Sequence, residues 1–164
     1  MISSTDRIVK RVFLPAPQER VWRAISESRQ FGAWFGMQID GEFAAGQPIT
    51  GTIVPTKADL EVAKRQEKYA GKKFGFIVDR IEPMGLFSFR WHPYAMDPNH
   101  DYSKEQTTLV EFILEPKEGG TELTIVESGF DSIPIERRAA AFEANDEGWG
   151  LQAQLIAKYL AMPA

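Results

Sequence analysis

The residues best suited to chemistry lie in the last thirty positions, where aromatic and polar side chains alternate along one predicted helix. Steps of three and four residues give the stripe Arg138, Phe142, Asn145, Trp149, Gln152, Ile156 and Tyr159. A helix that only filled a core would be apolar along such a stripe. The amides between the rings predict a cavity wall, in which Asn145 and Gln152 orient a ligand carbonyl or hydroxyl group.

One acidic residue, Glu127, is predicted to point into the same interior. It shares a strand face with Leu123 and Ile125, and a buried carboxylate needs a charged partner or hydrogen bonds. Two interpretations stay open. Glu127 forms a structural ion pair with Arg138 or Arg90 at the rim of the sheet, or it is a polar anchor or general base in the cavity.

Other common catalytic chemistries lack their residues. Without cysteine there are no disulfides, thiolate nucleophiles or sulfur-based zinc sites. The two histidines, His92 and His100, have no ligand spacing that fixes a metal geometry. There is no nucleophile elbow, phosphate-binding loop or dinucleotide-binding motif. We therefore expect no catalytic residue, no metal site and no cofactor.

The hydrophobic pattern predicts the element order β, α, α, six β, α. A strand at 7–13 precedes two short helices, and the second, at 28–35, ends at Gly36. Strands follow at 37–43, 47–54, 74–82, 86–92, 107–115 and 121–128, with short connections typical of antiparallel pairing. A long helix covers 134–160. The predicted fold class is α+β, with a curved antiparallel sheet of about six or seven strands wrapped around the last helix.

Aromatic side chains on the predicted helices and strands are the candidate walls of the cavity. With Glu127, Asn145 and Gln152, they form the proposed lining: Trp22, Phe35, Phe89, Trp91, Phe112, Phe142 and Trp149. A solid aromatic core is the alternative to a void. Large rings favour the interior, so the strand at 86–92 is expected to turn Phe89 and Trp91 inward. The alternative turns Arg90 and His92 into the cavity.

Charge distribution limits the partners. The net charge of −4 argues against nucleic acid as a partner. No apolar run reaches the roughly 18 residues that span a bilayer, and no signal peptide is visible, so we expect a cytoplasmic protein without membrane insertion. Residues 57–73 hold six Lys/Arg and three Asp/Glu. This helical insert is predicted to be a solvated surface helix or a lid over the cavity mouth.

Four segments carry a resemblance to a known family. They are PAPQERVWRAISESRQFGAWFG (15–36), RIEPMGLFSFRWHP (80–93), TTLVEFILEPKEGGTELTIVESGF (107–130) and GWGLQAQLIAKYLA (148–161). In this order they resemble the START/Bet v-like helix-grip superfamily, SRPBCC, in the branch of the C-terminal domain of the heat-shock-protein-90 ATPase activator. The resemblance covers nearly the whole chain and implies a single domain over 1–164 with a hydrophobic cavity between sheet and long helix.

The resemblance also implies a function. Members of the superfamily bind or process small apolar molecules, so we expect binding of a small hydrophobic or amphipathic ligand in the cavity. The alternatives are a chaperone-accessory or stress-response interaction domain, and an enzyme of the cyclase or hydrolase type that uses the same cavity. A homodimer is equally open, because Gly148 and Gly150 would allow close approach of a second chain.

Overall fold

Seven antiparallel strands form one curved sheet in the computed structural model, which describes residues 5–163. The strands are β1 Arg7–Leu14, β2 Met37–Ile39, β3 Pro48–Ile53, β4 Lys73–Glu82, β5 Leu86–Trp91, β6 Thr108–Lys117 and β7 Gly120–Ser128. Their order is β1-β7-β6-β5-β4-β3-β2. Strands β2 to β7 thus form a meander, and β1 closes the other edge beside β7. The first four residues and residue 164 lie outside the described part of the chain.

Four helices accompany the sheet within the described residues. They are α1 Gln18–Ser26, α2 Ser28–Phe35, α3 Leu60–Gln66 and α4 Ile135–Ala161. The long helix α4 packs against the sheet, where the Trp149 ring lies 5.8 Å from the Phe112 ring of β6. Helix α2 ends at Gly36, whose φ of 93° is left-handed and favours glycine. The predicted α+β helix-grip architecture is confirmed.

Strand alternation places one face of the sheet in the core, as predicted. Val110 pairs with Glu127 across β6 and β7, and Phe89 pairs with Val110 across β5 and β6. Ile8 of β1 pairs with Glu127 from the other side. All four residues are buried, so the carboxylate of Glu127 lies within an otherwise apolar row that crosses the sheet.

The ends of some elements differ from the prediction. The strand predicted at 37–43 stops at Ile39, because Gly41 and Gly46 take positive φ angles in the loop that follows. Phe43 therefore leaves the strand and packs on Phe87, with ring centroids 4.7 Å apart. The helix predicted within the insert ends at Gln66 and continues as a short 3-10 turn over Glu67–Tyr69.

Helical glycines fall into two environments. A Cβ atom on Gly32 would lie 2.0 Å from the backbone oxygen of Met37, so α2 packs on the start of β2 through the bare glycine. A Cβ atom on Gly148 or Gly150 would meet nothing within 4 Å. No close backbone approach within the described chain therefore accounts for these two glycines of α4.

Alanine substitutions should separate these environments. Gly150→Ala should raise the free energy of unfolding by about 1 kcal/mol, the helix-propensity difference between alanine and glycine. Gly32→Ala gains the same propensity but clashes with the Met37 carbonyl, and should lower stability by about 2 kcal/mol or more. Urea denaturation of both variants measures the difference. Midpoints that move in the same direction would contradict the assigned packing.

Candidate functional site

A cavity of about 230 Å³ lies where the end of β5 meets α2, α3 and α4. Its apolar wall comes from five elements and one loop and consists of Phe35, Met37, Ile53, Phe74, Trp91 and Met96. A smaller cavity of about 140 Å³ adjoins it. The two share four residues, Phe35, Trp91, Asn145 and Gln152, and the smaller one adds Gly148 and Trp149. Aromatic walls with a few polar groups are typical of small-molecule sites.

A fully buried carboxylate lies directly behind the shared wall. Oε2 of Glu127 accepts hydrogen bonds from Trp91 Nε1 at 2.7 Å and from Thr108 Oγ1 at 2.5 Å. Oε1 accepts from Asn145 Nδ2 and Trp149 Nε1, both at 2.8 Å. Three of these four donors are N–H groups that cannot accept, so the network matches an ionised carboxylate.

The ion pair that one of the two interpretations gave Glu127 is not formed in the described part of the chain. Arg138 instead donates from Nε to the carbonyl oxygen of Ile133 at 3.0 Å. Arg90 is exposed, because alternation along β5 turns Phe89 into the core and Arg90 out of it. The carboxylate is stabilised by neutral donors rather than by a cation.

This geometry gives Glu127 a positioning role. It bonds to three residues that border the cavities, Trp91, Asn145 and Trp149, and so fixes the orientation of their side chains. To act as a general base towards a ligand it would have to give up one of its hydrogen bonds. The ring centroids of Trp91 and Trp149 lie 5.8 Å apart, which leaves these indoles packed against each other.

Two polar atoms at the cavity are buried without a hydrogen-bond partner among residues 5–163, Gln152 Oε1 and His92 Nδ1. Nε2 of Gln152 donates to the backbone oxygen of Phe35 at 3.2 Å, which fixes the amide orientation and leaves Oε1 as the free acceptor. A buried carbonyl oxygen without a partner is destabilising. A ligand donor would remove that penalty.

The loop between β5 and β6 reaches the cavity through His92, Tyr94 and Met96. Arg137 of α4 holds this loop. Its Nη1 donates to the Pro93 carbonyl at 2.7 Å, and its Nη2 lies 2.7 Å from a Glu105 carboxylate oxygen. Helix α4 thus supplies one wall of the cavity and also anchors the loop that supplies another.

Burial lowers the pKa of His92, and the positive charge of Arg137 acts in the same direction. The carboxylates of Glu105 and Asp101 and the Gln106 backbone oppose the change but do not cancel it. The neutral imidazole is therefore favoured at the cavity.

Five of the side chains proposed from the sequence meet at the two cavities: Phe35, Trp91, Asn145, Trp149 and Gln152. Glu127 lies behind them. The structure places the other four outside the lining, where they belong to the hydrophobic core or pack against it. Phe89 stacks on Phe76 at 4.9 Å, and Phe112 is fully buried among other rings. Phe142 packs on Phe130 at 5.1 Å, and Trp22 packs against the core from α1.

Sequence reasoning missed the residues that loops bring to the cavity. Tyr94 and Met96 follow β5 in a segment without periodicity, so no pattern pointed to them. His92 was expected to face away from Trp91, but β5 ends at Trp91, and both side chains line the cavity. Pro93 was the available signal in the sequence, because a proline at this position indicates that the strand and its alternation end there. Gln66 and Tyr69 of the 57–73 insert also line the cavity.

The sheet, the grip of α4 and the cavity together define a helix-grip protein of the SRPBCC type. Residues 15–161 match the model of the family described as Activator of Hsp90 ATPase homolog 1-like protein. The chain belongs to this family. No curated protein matches it.

Several solved structures share the fold. Protein MLL2253 from Mesorhizobium loti is 22% identical, with 94% of this chain and 96% of that chain covered and a TM-score of 0.69. A protein from Arthrobacter aurescens is 18% identical, with 98% and 88% covered and a TM-score of 0.72. The Aha1 dimer from Colwellia psychrerythraea is 16% identical, with 98% and 96% covered and a TM-score of 0.65.

None of the helices within residues 5–163 has the length and apolar character needed to cross a membrane. The same residues bring together no group of three or more His, Asp or Glu side chains that could hold a metal ion.

Glu127→Gln tests the buried carboxylate. The new amide keeps one accepting oxygen but turns its NH2 towards one pair of donors, either Asn145 and Trp149 or Trp91 and Thr108, so the free energy of unfolding should fall by about 3 kcal/mol. Glu122→Gln, on the other face of β7, is the matched control and should change stability by less than about 0.5 kcal/mol. Urea denaturation measures both. Equal effects would show that the network does not stabilise the fold.

The lowered pKa of His92 makes stability depend on pH. The unfolded chain binds the proton more tightly than the folded protein, so the free energy of unfolding should fall as pH drops below the ordinary value of 6.5. His92→Asn removes the titrating group and should flatten this dependence. Urea midpoints at about pH 7.5 and about pH 5.5 bracket the transition. An identical loss of stability in the variant would assign the effect to other groups.

Proposed function

We propose that this protein binds a small hydrophobic or amphipathic molecule in the cavity between the sheet and α4. The observation that carries the proposal is that a buried carboxylate holds the cavity wall in place. Glu127 uses both oxygens to orient two indoles and an amide. A preformed wall lowers the cost of ordering side chains when a ligand binds. A cytoplasmic location, expected from the sequence, belongs to the same proposal.

The two alternatives make different demands on the site. A cyclase or hydrolase needs an acid–base pair in the cavity. Glu127 lies behind the wall with both oxygens hydrogen-bonded, and His92 is a titratable group on the lining. A chaperone-accessory role, which the family description suggests, would use an exposed surface instead of the cavity. If ligand binding depends on the cavity volume, small-molecule binding is favoured over the chaperone-accessory role.

A homodimer extends this proposal. The relative from Colwellia psychrerythraea was solved as a dimer. Gly148 and Gly150 leave open space on α4, which supports close approach of a second chain. Sedimentation velocity of the purified protein measures the mass in solution, and a monomer over the full concentration range would contradict this part of the proposal.

Two glycine substitutions test the cavity with a matched control. Gly148 borders the smaller cavity and Gly150 borders neither of the two, and a Cβ atom at either position would meet nothing within 4 Å. Gly148→Leu should weaken binding of the neutral dye N-phenylnaphthylamine at least about fivefold, since overfilling a site costs roughly 1 kcal/mol or more. Gly150→Leu should bind the dye as the unsubstituted protein does. Dye fluorescence titrations give the dissociation constants.

Native mass spectrometry of the purified protein, followed by solvent extraction, complements the titrations. A co-purifying small molecule that is present in Gly150→Leu and lost in Gly148→Leu would identify the chemical class of the ligand. Equal dye binding by both variants would contradict the cavity as the site. A protein that carries no molecule and binds no dye would favour the chaperone-accessory role.

A further inference from the structure

We infer that the ligand carries a neutral hydrogen-bond donor, a hydroxyl or N–H group on an apolar skeleton, and that this donor binds Oε1 of Gln152. The inference rests on the proposed function, because it names the ligand class for the same cavity.

The amide of Gln152 is oriented before any ligand arrives. Its Nε2 donates to the Phe35 carbonyl at 3.2 Å, and the reverse orientation would bring two oxygens together. Oε1 is consequently the atom left for a ligand, and it is buried without a partner among the described residues. Gln152 lines both cavities, so a molecule that occupies either one lies beside this acceptor.

The electrostatics at this wall disfavour a ligand anion. The carboxylate of Glu127 lies behind the wall, and the indole N–H groups of Trp91 and Trp149 are already donated to it. A ligand carboxylate placed beside Gln152 would therefore meet a carbonyl oxygen and a second negative charge, with neither indole free to donate. Like charges at short range in a poorly solvated site repel strongly.

Donor groups also line the larger cavity. Gln66 and Tyr69 contribute to its wall, and the ammonium groups of Lys68 and Lys72 lie 5.0 Å and 5.8 Å from the Tyr69 ring centroid. An acidic group would pair with these donors rather than with the carbonyl oxygen of Gln152. Binding of an acid should therefore be insensitive to the Gln152 side chain, which separates an acidic ligand from the class proposed.

The expected selectivity follows from the unpaired oxygen. Oε1 of Gln152 has no partner among the described residues, and a ligand donor supplies its missing hydrogen bond. A ligand of similar shape without a donor leaves the oxygen unpaired. The preference for the donor ligand should be about tenfold in the dissociation constant.

Calorimetric titration with two probes measures this preference. Naphthol carries the donor, and methoxynaphthalene has the same ring system without it. The unsubstituted protein should bind naphthol about tenfold more tightly. Gln152→Met keeps the side-chain length but removes the acceptor, and should bring the two constants to within about twofold of each other. Gln154→Met, an exposed position on the same helix, should keep the full preference. Urea denaturation of each variant verifies that it folds.

The outcomes separate this inference from the proposal beneath it. If Gln152→Met binds both probes and keeps the preference for naphthol, the donor site is overturned while cavity binding stands. If naphthoate binds most tightly and Gln152→Met does not change its dissociation constant, the donor site is also overturned. The ligand would then be an acid. If naphthol, methoxynaphthalene and naphthoate all fail to bind, the proposed function and the donor site fall together.

Discussion

The structure depends on the requirement that the buried carboxylate of Glu127 be fully hydrogen-bonded. Its four donors come from β5, β6 and α4, while Glu127 itself belongs to β7. One charged group therefore connects three neighbouring strands to the helix that covers them. Apolar burial favours contact between helix and sheet without specifying a register. The network specifies it, because Asn145 and Trp149 reach the carboxylate from only one position of α4 along the sheet.

The cavity follows from the same arrangement. Trp91 and Trp149 direct their N–H edges at Glu127, so their rings form part of the wall around the two cavities. On the other side, Phe31 contacts Phe35, Phe87 and Phe112 in a filled aromatic core. The larger cavity lies beyond that core, where loops and α3 join strand residues in the wall. Arg137 stabilises this end by binding the loop after β5.

Most of the fold was predictable because period two along a strand determines which side chains face inward. That rule placed Glu127 inside the protein. It did not identify the partners of Glu127, which depend on how α4 crosses the sheet. Arg138 lies on the predicted stripe but donates to the backbone carbonyl of Ile133, just before α4 begins. Alternation also does not determine which inward-facing residues of a strand border the cavity. Phe89 and Trp91 share a face, yet only Trp91 reaches the cavity, because Phe76 covers Phe89.

The convergence of four donors on one carboxylate also constrains how this sequence can change. Loss of the carboxylate leaves three N–H groups pointing at one another, and loss of a donor weakens the remaining anion site. Substitutions at Trp91, Asn145, Glu127 and Trp149 are therefore strongly non-additive. If the network were replaced by apolar residues one substitution at a time, the partly substituted proteins would be less stable than both the present protein and the fully apolar one. The network would change as a block, whereas Met96 and Tyr94, outside it, are free to vary one at a time and adapt the cavity to new ligands.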